Sequence, residues 1–334
     1  DANGEPIYDA TKPKPVITYV GTVKLHGTNA GVCYNDVADL WAQSRSNIIT
    51  PQNDNYGFAF FVESKKEAFV KLIKQIAEDL SIDLTTHTIS VFGEWCGASI
   101  QGGVGLCKLP KQFFIIGIKV SSFDEAIPAY WIEEYGKYSD KENLIFNVMD
   151  YKTFSITIDY RYPELSRNKM VEMTLEVEDN CPVSEAFGFP NEIGEGIVWV
   201  GYNNGHRYVF KTKGLKHAGA SKVKTIKPVD DEKIQKCIDL ATVVCPVWRL
   251  AQMFKETIEE AGGEIHKKHL GNYLKKVSND ILKEEVVTIS QAGLEFKDVV
   301  KYVTDIAKEY WNECELEHIK SLNPVECNLT DPVE

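Results

Sequence analysis

No stretch of the chain approaches the ~18 consecutive apolar residues of a membrane-crossing helix, which argues against a transmembrane span. The start is polar and carries Pro6, Pro13 and Pro15, so it does not read as a secretory signal. The chain opens on Asp1 rather than methionine, consistent with a trimmed start or a removed tag. No Cys-x-x-Cys pair occurs. The eight cysteines (Cys33, Cys96, Cys107, Cys181, Cys237, Cys245, Cys314, Cys327) are scattered, which argues against a zinc ribbon or a disulfide framework and reads as reduced thiols of a cytosolic protein. His266 and His269, three apart in an expected helix, have no Cys or carboxylate at ligand spacing. With Lys267 and Lys268 they read as an exposed basic patch. The run Ile100-Gln101-Gly102-Gly103-Val104-Gly105 lacks a Gly-Lys-Ser/Thr ending, so it is taken as a flexible loop and not a phosphate loop.

Net positive charge is also missing. A value of −12 over 334 residues at first argues against a polyanionic partner, because sequence-independent affinity for nucleic acid comes from Lys and Arg on phosphates. The distribution changes that reading. From Gly205 to Pro228 there is no acid, while Arg207, Lys211, Lys213, Lys216, Lys222, Lys224 and Lys227 are basic. Such a stretch fits transient polyanion binding and a solvated lysine-rich linker equally well.

A chain of this length with 43% hydrophobic residues suggests two domains. The stretch around which the rest is organised is Lys24-Leu25-His26-Gly27-Thr28-Asn29, set between an apolar run (Ile17, Tyr19, Val20, Val23) and another from Ala30 to Tyr34. A lysine where one strand gives way to the next can point into a cleft. Gly27 permits a close turn, and Thr28 and Asn29 supply short donors and acceptors. Taken alone, Lys-x-x-Gly is an ordinary surface turn. Further along, Asp39 to Ser44 reads as a strand ending at Arg45, Glu63 to Leu80 as a helix, and Thr88 to Glu94 as a half-buried strand. Phe113 to Val120 is an apolar strand whose alternation is expected to put Phe114, Ile116 and Ile118 on one face. Ser121 to about Asn180 reads as short strands and turns without a chemical signature.

Later, Glu195-Gly196-Ile197-Val198-Trp199-Val200 and Tyr208 to Lys213 flank Asn203-Asn204-Gly205 as a hairpin. Lys211 and Lys213 then share a face, as solvated edge-strand lysines or opposite a polyphosphate. Lys222 to Asp231 looks like a linker, and helical patterns follow through Ile234–Ala241, Val247–Ile258, Leu270–Ile281 and Phe296–Tyr310.

The ordered set Lys24 to Asn29, Arg45, Phe92-Gly93-Glu94, Glu195 to Val198 and Lys211-Thr212-Lys213 resembles the nucleotidyltransferase motifs of lysine-adenylating polynucleotide ligases and capping enzymes. It is most similar to the phage RNA ligase 2 family, which includes the trypanosome RNA-editing ligases and favours Lys-x-His-Gly-Thr-Asn. The likeness runs to about Tyr310 and implies an α+β fold. A nucleotidyltransferase domain of antiparallel sheets with flanking helices (1–226) would precede a small all-helical C-terminal domain (227–322) and a disordered tail (323–334). DNA ligases and capping enzymes carry a β-barrel in place of those helices.

The resemblance implies ATP as cofactor with Mg2+, for which Mn2+ can substitute, and a covalent AMP on Lys24. Catalysis would rest on Lys24, Lys211, Lys213, Glu195 and His26. The nucleotide would be held by Lys24, Leu25, His26, Asn29, Arg45, Glu94, Phe114, Ile116, Glu195, Lys211 and Lys213, with Glu195 and then Glu94 on the metal. Two departures stand out: Ile116 and Gly117 replace an aromatic ring and an acid, leaving Phe114 as the other candidate for stacking on adenine, and Val23 replaces an acid before the lysine. Lysine ordinarily titrates near ~10.4, and positive charge from Lys211, Lys213 and magnesium is expected to free the Lys24 amine. The partners would be RNA ends at nicked duplexes, acted on by a cytoplasmic monomer away from any membrane. The competing readings are a DNA ligase or capping-type enzyme, and a non-catalytic nucleotide- or RNA-binding protein.

Overall fold

The computed structural model describes residues 14–214, 216 and 228–322. Most of the expected linker 222–231 lies outside those residues, as do Lys222, Lys224 and Lys227, the start through Pro13, and the tail 323–334. The chain divides into two compact units, Ile17–Ile158 with Ser166–Pro228, and Val229–Glu334 with Asp1–Val16 and Asp159–Leu165.

The first unit is mixed. In chain order it runs β1 (Val16–Val23), β2 (Thr28–Asn35), β3 (Asp39–Gln43), β4 (Ile48–Ile49), α1 (Phe58–Ser64), α2 (Lys66–Asp79), β5 (His87–Cys96), β6 (Gln112–Ser122), β7 (Tyr130–Ile132), β8 (Ile145–Asn147), β9 (Thr153–Asp159), α3 (Arg167–Asp179), α4 (Pro182–Ala186), β10 (Gly196–Asn203) and β11 (His206–Lys213). One sheet has the order β11-β10-β1-β9, the other β4-β3-β2-β5-β6-β7, with β8 added parallel to β6.

Strand periodicity of two sorts the larger sheet. Ala30, Val32 and Tyr34 of β2 and Ile89, Val91 and Trp95 of β5 enter one core with α1 and α2. The stripe Phe69, Leu72, Ile73, Ile76 is the i, i+3, i+4, i+7 face of α2, and each residue is buried. Burying one such side chain contributes about 1.5–3 kcal/mol. The single helix expected over 63–80 is two, because Lys65 leaves the helical region at φ −116°, ψ 21°. This break lets α1 bury Phe58, Phe61 and Val62 before α2 restarts.

Two further expectations are corrected. Ser121 to Asn180 holds the 13-residue helix α3 as well as short strands. Its inward positions Met170, Thr174, Val177 and Glu178 have helical spacing, but two are polar and hid the pattern. On β6, Phe92 pairs with Gly117 and Gly93 with Ile115, so Ile116 is the extra residue of a β-bulge. The bulge reverses the alternation. Ile118 joins Phe113 and Ile115 in the core and does not share a face with Phe114.

The smaller sheet lays Ile197, Trp199 and Thr212 against α3, where Trp199 Nε1 donates to Thr212 Oγ1 (3.1 Å) and Thr174 Oγ1 lies 2.7 Å from the same oxygen. The expected hairpin forms, with Asn203 opposite His206 and positive φ at Asn204 (50°) and Gly205 (76°), as a two-residue turn of this hand requires.

The second unit is helical: α5 (Asp231–Val244), α6 (Val247–Glu260), α7 (Leu270–Glu284), α8 (Val286–Gln291) and α9 (Phe296–Leu322). Asp230 caps α5 by accepting from Lys233 N (2.9 Å). Leu250, Met253, Tyr273, Val277, Ile281, Val299, Val303 and Trp311 form its core, against which Tyr162 and Leu165 pack. Arg249 is buried there, with Nε 2.9 Å from Asp280, Nη2 2.8 Å from Glu285 and Nη1 donating to Val244 O. Among the described residues no single helix is long and apolar enough to cross a membrane.

Candidate active site

The site is assembled where β1 ends beside the start of β10. Lys24 N donates to Gly196 O (2.8 Å), which continues the β1–β10 ladder by one bond and sets Lys24 next to Glu195. Gly196 has φ +143°, and a Cβ there would meet Thr212 O at 2.1 Å, so only glycine can follow Glu195 on this path.

Glu195 is 3% exposed and is the hub. Its Oε2 lies 2.5 Å from Lys24 Nζ and 3.0 Å from His26 Nδ1, and its Oε1 lies 2.8 Å from Lys213 Nζ. Burial opposes ionisation, but hydrogen bonds from Lys213 and Lys24 more than offset it and hold the carboxyl at about 2. The charge nearest Lys24 is therefore an acid, and not the lysine pair expected to surround it.

Glu94, opposite Asn29 in the β2–β5 ladder, accepts from Gly27 N at 2.9 Å. Gly27 is needed for that approach, since a Cβ would meet Trp95 O at 2.3 Å. Burial raises the Glu94 pKa, opposed by the Gly27 hydrogen bond and the Lys24 charge, with smaller opposite effects from Glu195 and Lys211. Lys211, two residues before Lys213 on the same face, is exposed.

Other expected residues sit differently. The Leu25 side chain is buried (4% exposed), which leaves its main chain to offer a ligand. Arg45 is exposed in the Ser44–Asn47 turn, and no hydrogen bond or ion pair among the described residues ties it to Glu195. Phe114 is fully buried. Its ring stacks on Phe146 at 5.4 Å and meets Tyr151 and Phe187, so it presents no open face to a base. Ile116 is partly exposed at the bulge.

Sequence reasoning passed over Asn55, whose Nδ2 donates to Thr28 Oγ1 (3.0 Å), and Gln101, whose Nε2 donates to Gly27 O (3.4 Å). Neither carries a motif signal. It also passed over Trp131, in the stretch read as featureless.

Among the described residues no group of three His, Cys, Asp or Glu is placed to hold a metal. Magnesium needs fewer protein ligands, since it is bound by one or two carboxylates together with substrate phosphates. The buried, ionised Glu195 with Glu94 nearby fits that mode.

A sequence profile of RNA ligases matches residues 17–213. The chain belongs to the RNA ligase family. Among solved structures it is similar to a Naegleria gruberi RNA ligase variant with ATP and Mn (TM-score 0.38, 15% identity, covering 59% of this chain and 50% of that one). It is similar also to the Naegleria gruberi RNA ligase with PPi (TM-score 0.37, 16% identity, covering 61% and 50%). The chain thus spans about half the length of those proteins. No curated protein sequence matches it.

Proposed function

We propose that the chain is an ATP-dependent RNA ligase of the phage RNA ligase 2 type, joining 5′-phosphate and 3′-hydroxyl RNA ends, with nicked duplex as its substrate. The observation that carries this reading is Glu195, buried and ionised, with Lys24 and Lys213 brought to its two oxygens from opposite ends of the domain.

In the first step Lys24 leaves Glu195, gives up a proton to solvent water and attacks the α-phosphorus of ATP. The Nζ–P bond forms as the bond from phosphorus to the pyrophosphate oxygen breaks, leaving AMP on the lysine. Lys213 and the exposed Lys211 stabilise charge on the phosphoryl oxygens and the departing pyrophosphate. Glu195, with Glu94, would hold a magnesium ion, which supplies further charge neutralisation there when bound. The AMP then passes to the RNA 5′-phosphate, and the 3′-hydroxyl displaces it. His26, whose Nδ1 lies 3.0 Å from Glu195 Oε2, would act in the steps after the lysine is adenylated.

The test is incubation with α-labelled ATP, then with nicked duplexes bearing RNA or DNA on the 3′-hydroxyl side. Label that survives denaturation, is released by acid and is lost in Lys24→Ala supports the reading. Equal labelling of Lys24→Ala overturns the nucleophile, and sealing of DNA alone overturns the substrate.

A further inference from the structure

The two sheets of the first unit also touch between β11 and β7. The Arg207 guanidinium of β11 lies over the Trp131 ring of β7, 4.1 Å from its centroid. Trp131 is opposite Lys119, while its neighbour Ile132 is opposite Ile118 in the core, so Trp131 lies on the face turned away from that core. Phe92 is on that face too, 5.4 Å from Trp131 and two residues from Glu94. Between those rings β6 has Gly117, opposite Phe92, where a Cβ would lie 3.0 Å from Trp131 Cζ3 and 3.7 Å from Arg207 Nη2.

On β11, positions 207, 209, 211 and 213 alternate onto one face, so Arg207 and Lys213 bound the same surface. Arg207 is ~13 Å along the strand from Lys211. One end of this face therefore carries Lys213 beside Glu195 and Lys24, and the other carries Arg207 on Trp131.

Arg207 Nε is buried and has no hydrogen-bond partner among the described residues. A buried N–H without a partner is costly, and a guanidinium can only donate. Stacking on Trp131 holds its plane, and the Tyr202 hydroxyl takes another of its donors, so Nε is the buried donor left unpaired among the described residues.

We propose that Arg207, held flat by Trp131, reads the nucleobase by donating to a ring-nitrogen acceptor on its edge. This inference rests on the reading of the cleft as a nucleotide site, and it assigns the base contact to a residue outside the ordered motifs. Ile116 and Phe92 then supply the apolar floor that Phe114 does not. A donor-only group cannot recognise the exocyclic amine of adenine, so the recognition it gives is of an acceptor nitrogen.

The test is equilibrium binding of ATP, 7-deaza-ATP and 1-deaza-ATP, each analogue replacing one ring nitrogen by C–H. Wild type, Arg207→Met and Arg207→Lys are compared, and covalent labelling is measured separately. Wild type is expected to bind one analogue about tenfold or more weakly than ATP, the scale of a hydrogen bond to a charged group. Arg207→Met should bind ATP and that analogue alike, at the weakened level, and Arg207→Lys should fall between.

Equal binding of all three nucleotides by wild type overturns the proposal even if a variant does not fold. So does an ATP preference that survives in Arg207→Met. A protein that shows the expected pattern but takes no label would sink the ligase reading and leave this one standing.

Discussion

Lys24 Nζ lies 2.5 Å from Glu195 Oε2, joining residues 171 positions apart in the chain. In the proposed mechanism this carboxylate both holds the nucleophile at rest and serves as an oxygen ligand for a metal, so removing its charge should damage both. Glu195→Gln is expected to lower uptake of labelled nucleotide at least about 100-fold. It should also destabilise the first unit by about 2 kcal/mol, below the usual cost of breaking a buried pair because Lys24 and Lys213 keep side-chain exposures of 15% and 32%. Urea unfolding and labelling check the two effects; labelling within twofold of wild type would remove Glu195 from the mechanism.

The two acids should separate in pH. The depressed Glu195 pKa means the unfolded state binds its proton more readily, so its stabilisation is complete above the ordinary carboxylate range and is lost progressively as pH falls from there through about 2. Glu94 has the opposite sign. Its pKa is raised by burial, so its charge costs stability once pH rises through the folded value, and Glu94→Gln is expected to melt higher than wild type at pH 7. Thermal unfolding of both proteins from pH 4 to 8 tests this. The gap should narrow toward the acid end, and a gap independent of pH would contradict it.

Gly196→Ala should be among the most damaging single-methyl changes in the chain. It combines φ +143° with a backbone oxygen 2.1 Å from the new Cβ, and relief requires moving β11, which carries Lys213. A loss of more than about 2 kcal/mol is expected with loss of labelling. Wild-type melting of this variant would show that the strand pair accommodates a side chain.

Phe114 and Ile116 are expected to fail in different assays. Phe114→Ala empties a site enclosed by Phe146, Tyr151 and Phe187 and should cost about 3 kcal/mol, with little change in nucleotide affinity among molecules that remain folded. Ile116→Ala should weaken ATP binding several-fold with a small change in melting. Calorimetric binding beside denaturant unfolding separates them, and the reverse pattern would return Phe114 to the base.

In the helical unit, Arg249→Met should cost about 2 kcal/mol. It strands the Val244 carbonyl and leaves Asp280 and Glu285 without their cation, although both acids retain partial exposure that softens the loss. Unfolding followed by α-helical circular dichroism measures it, and a change under about 0.5 kcal/mol would show that water replaces the guanidinium.

What could be read in advance was local and periodic. Alternation marked β5, the Asn-Gly turn marked the last hairpin, and the i, i+3, i+4 stripes marked α5, α6, α7 and α9. The glycines after Glu195 and His26 were visible as letters, but their necessity was not, because it comes from Thr212 and Trp95 on other strands. α3 was missed because Thr174 and Glu178 occupy inward positions where an apolar pattern was sought, and the face shared by Phe114 and Ile118 was misread because one extra residue at Ile116 reverses every side chain beyond it.

By itself the amino-acid order determined which residue types could take part: a lysine, two glutamates, a lysine pair and the short turns that present them. Propensity, alternation and turn geometry act over a few neighbouring residues and are therefore written locally. Only the tertiary structure decided that one carboxylate would take two lysines and His26, that Phe114 would be sealed among other rings, and that Arg207 would lie on Trp131. Those outcomes depend on strand register and on which sheet faces face each other, and both are set by packing between segments far apart in the chain.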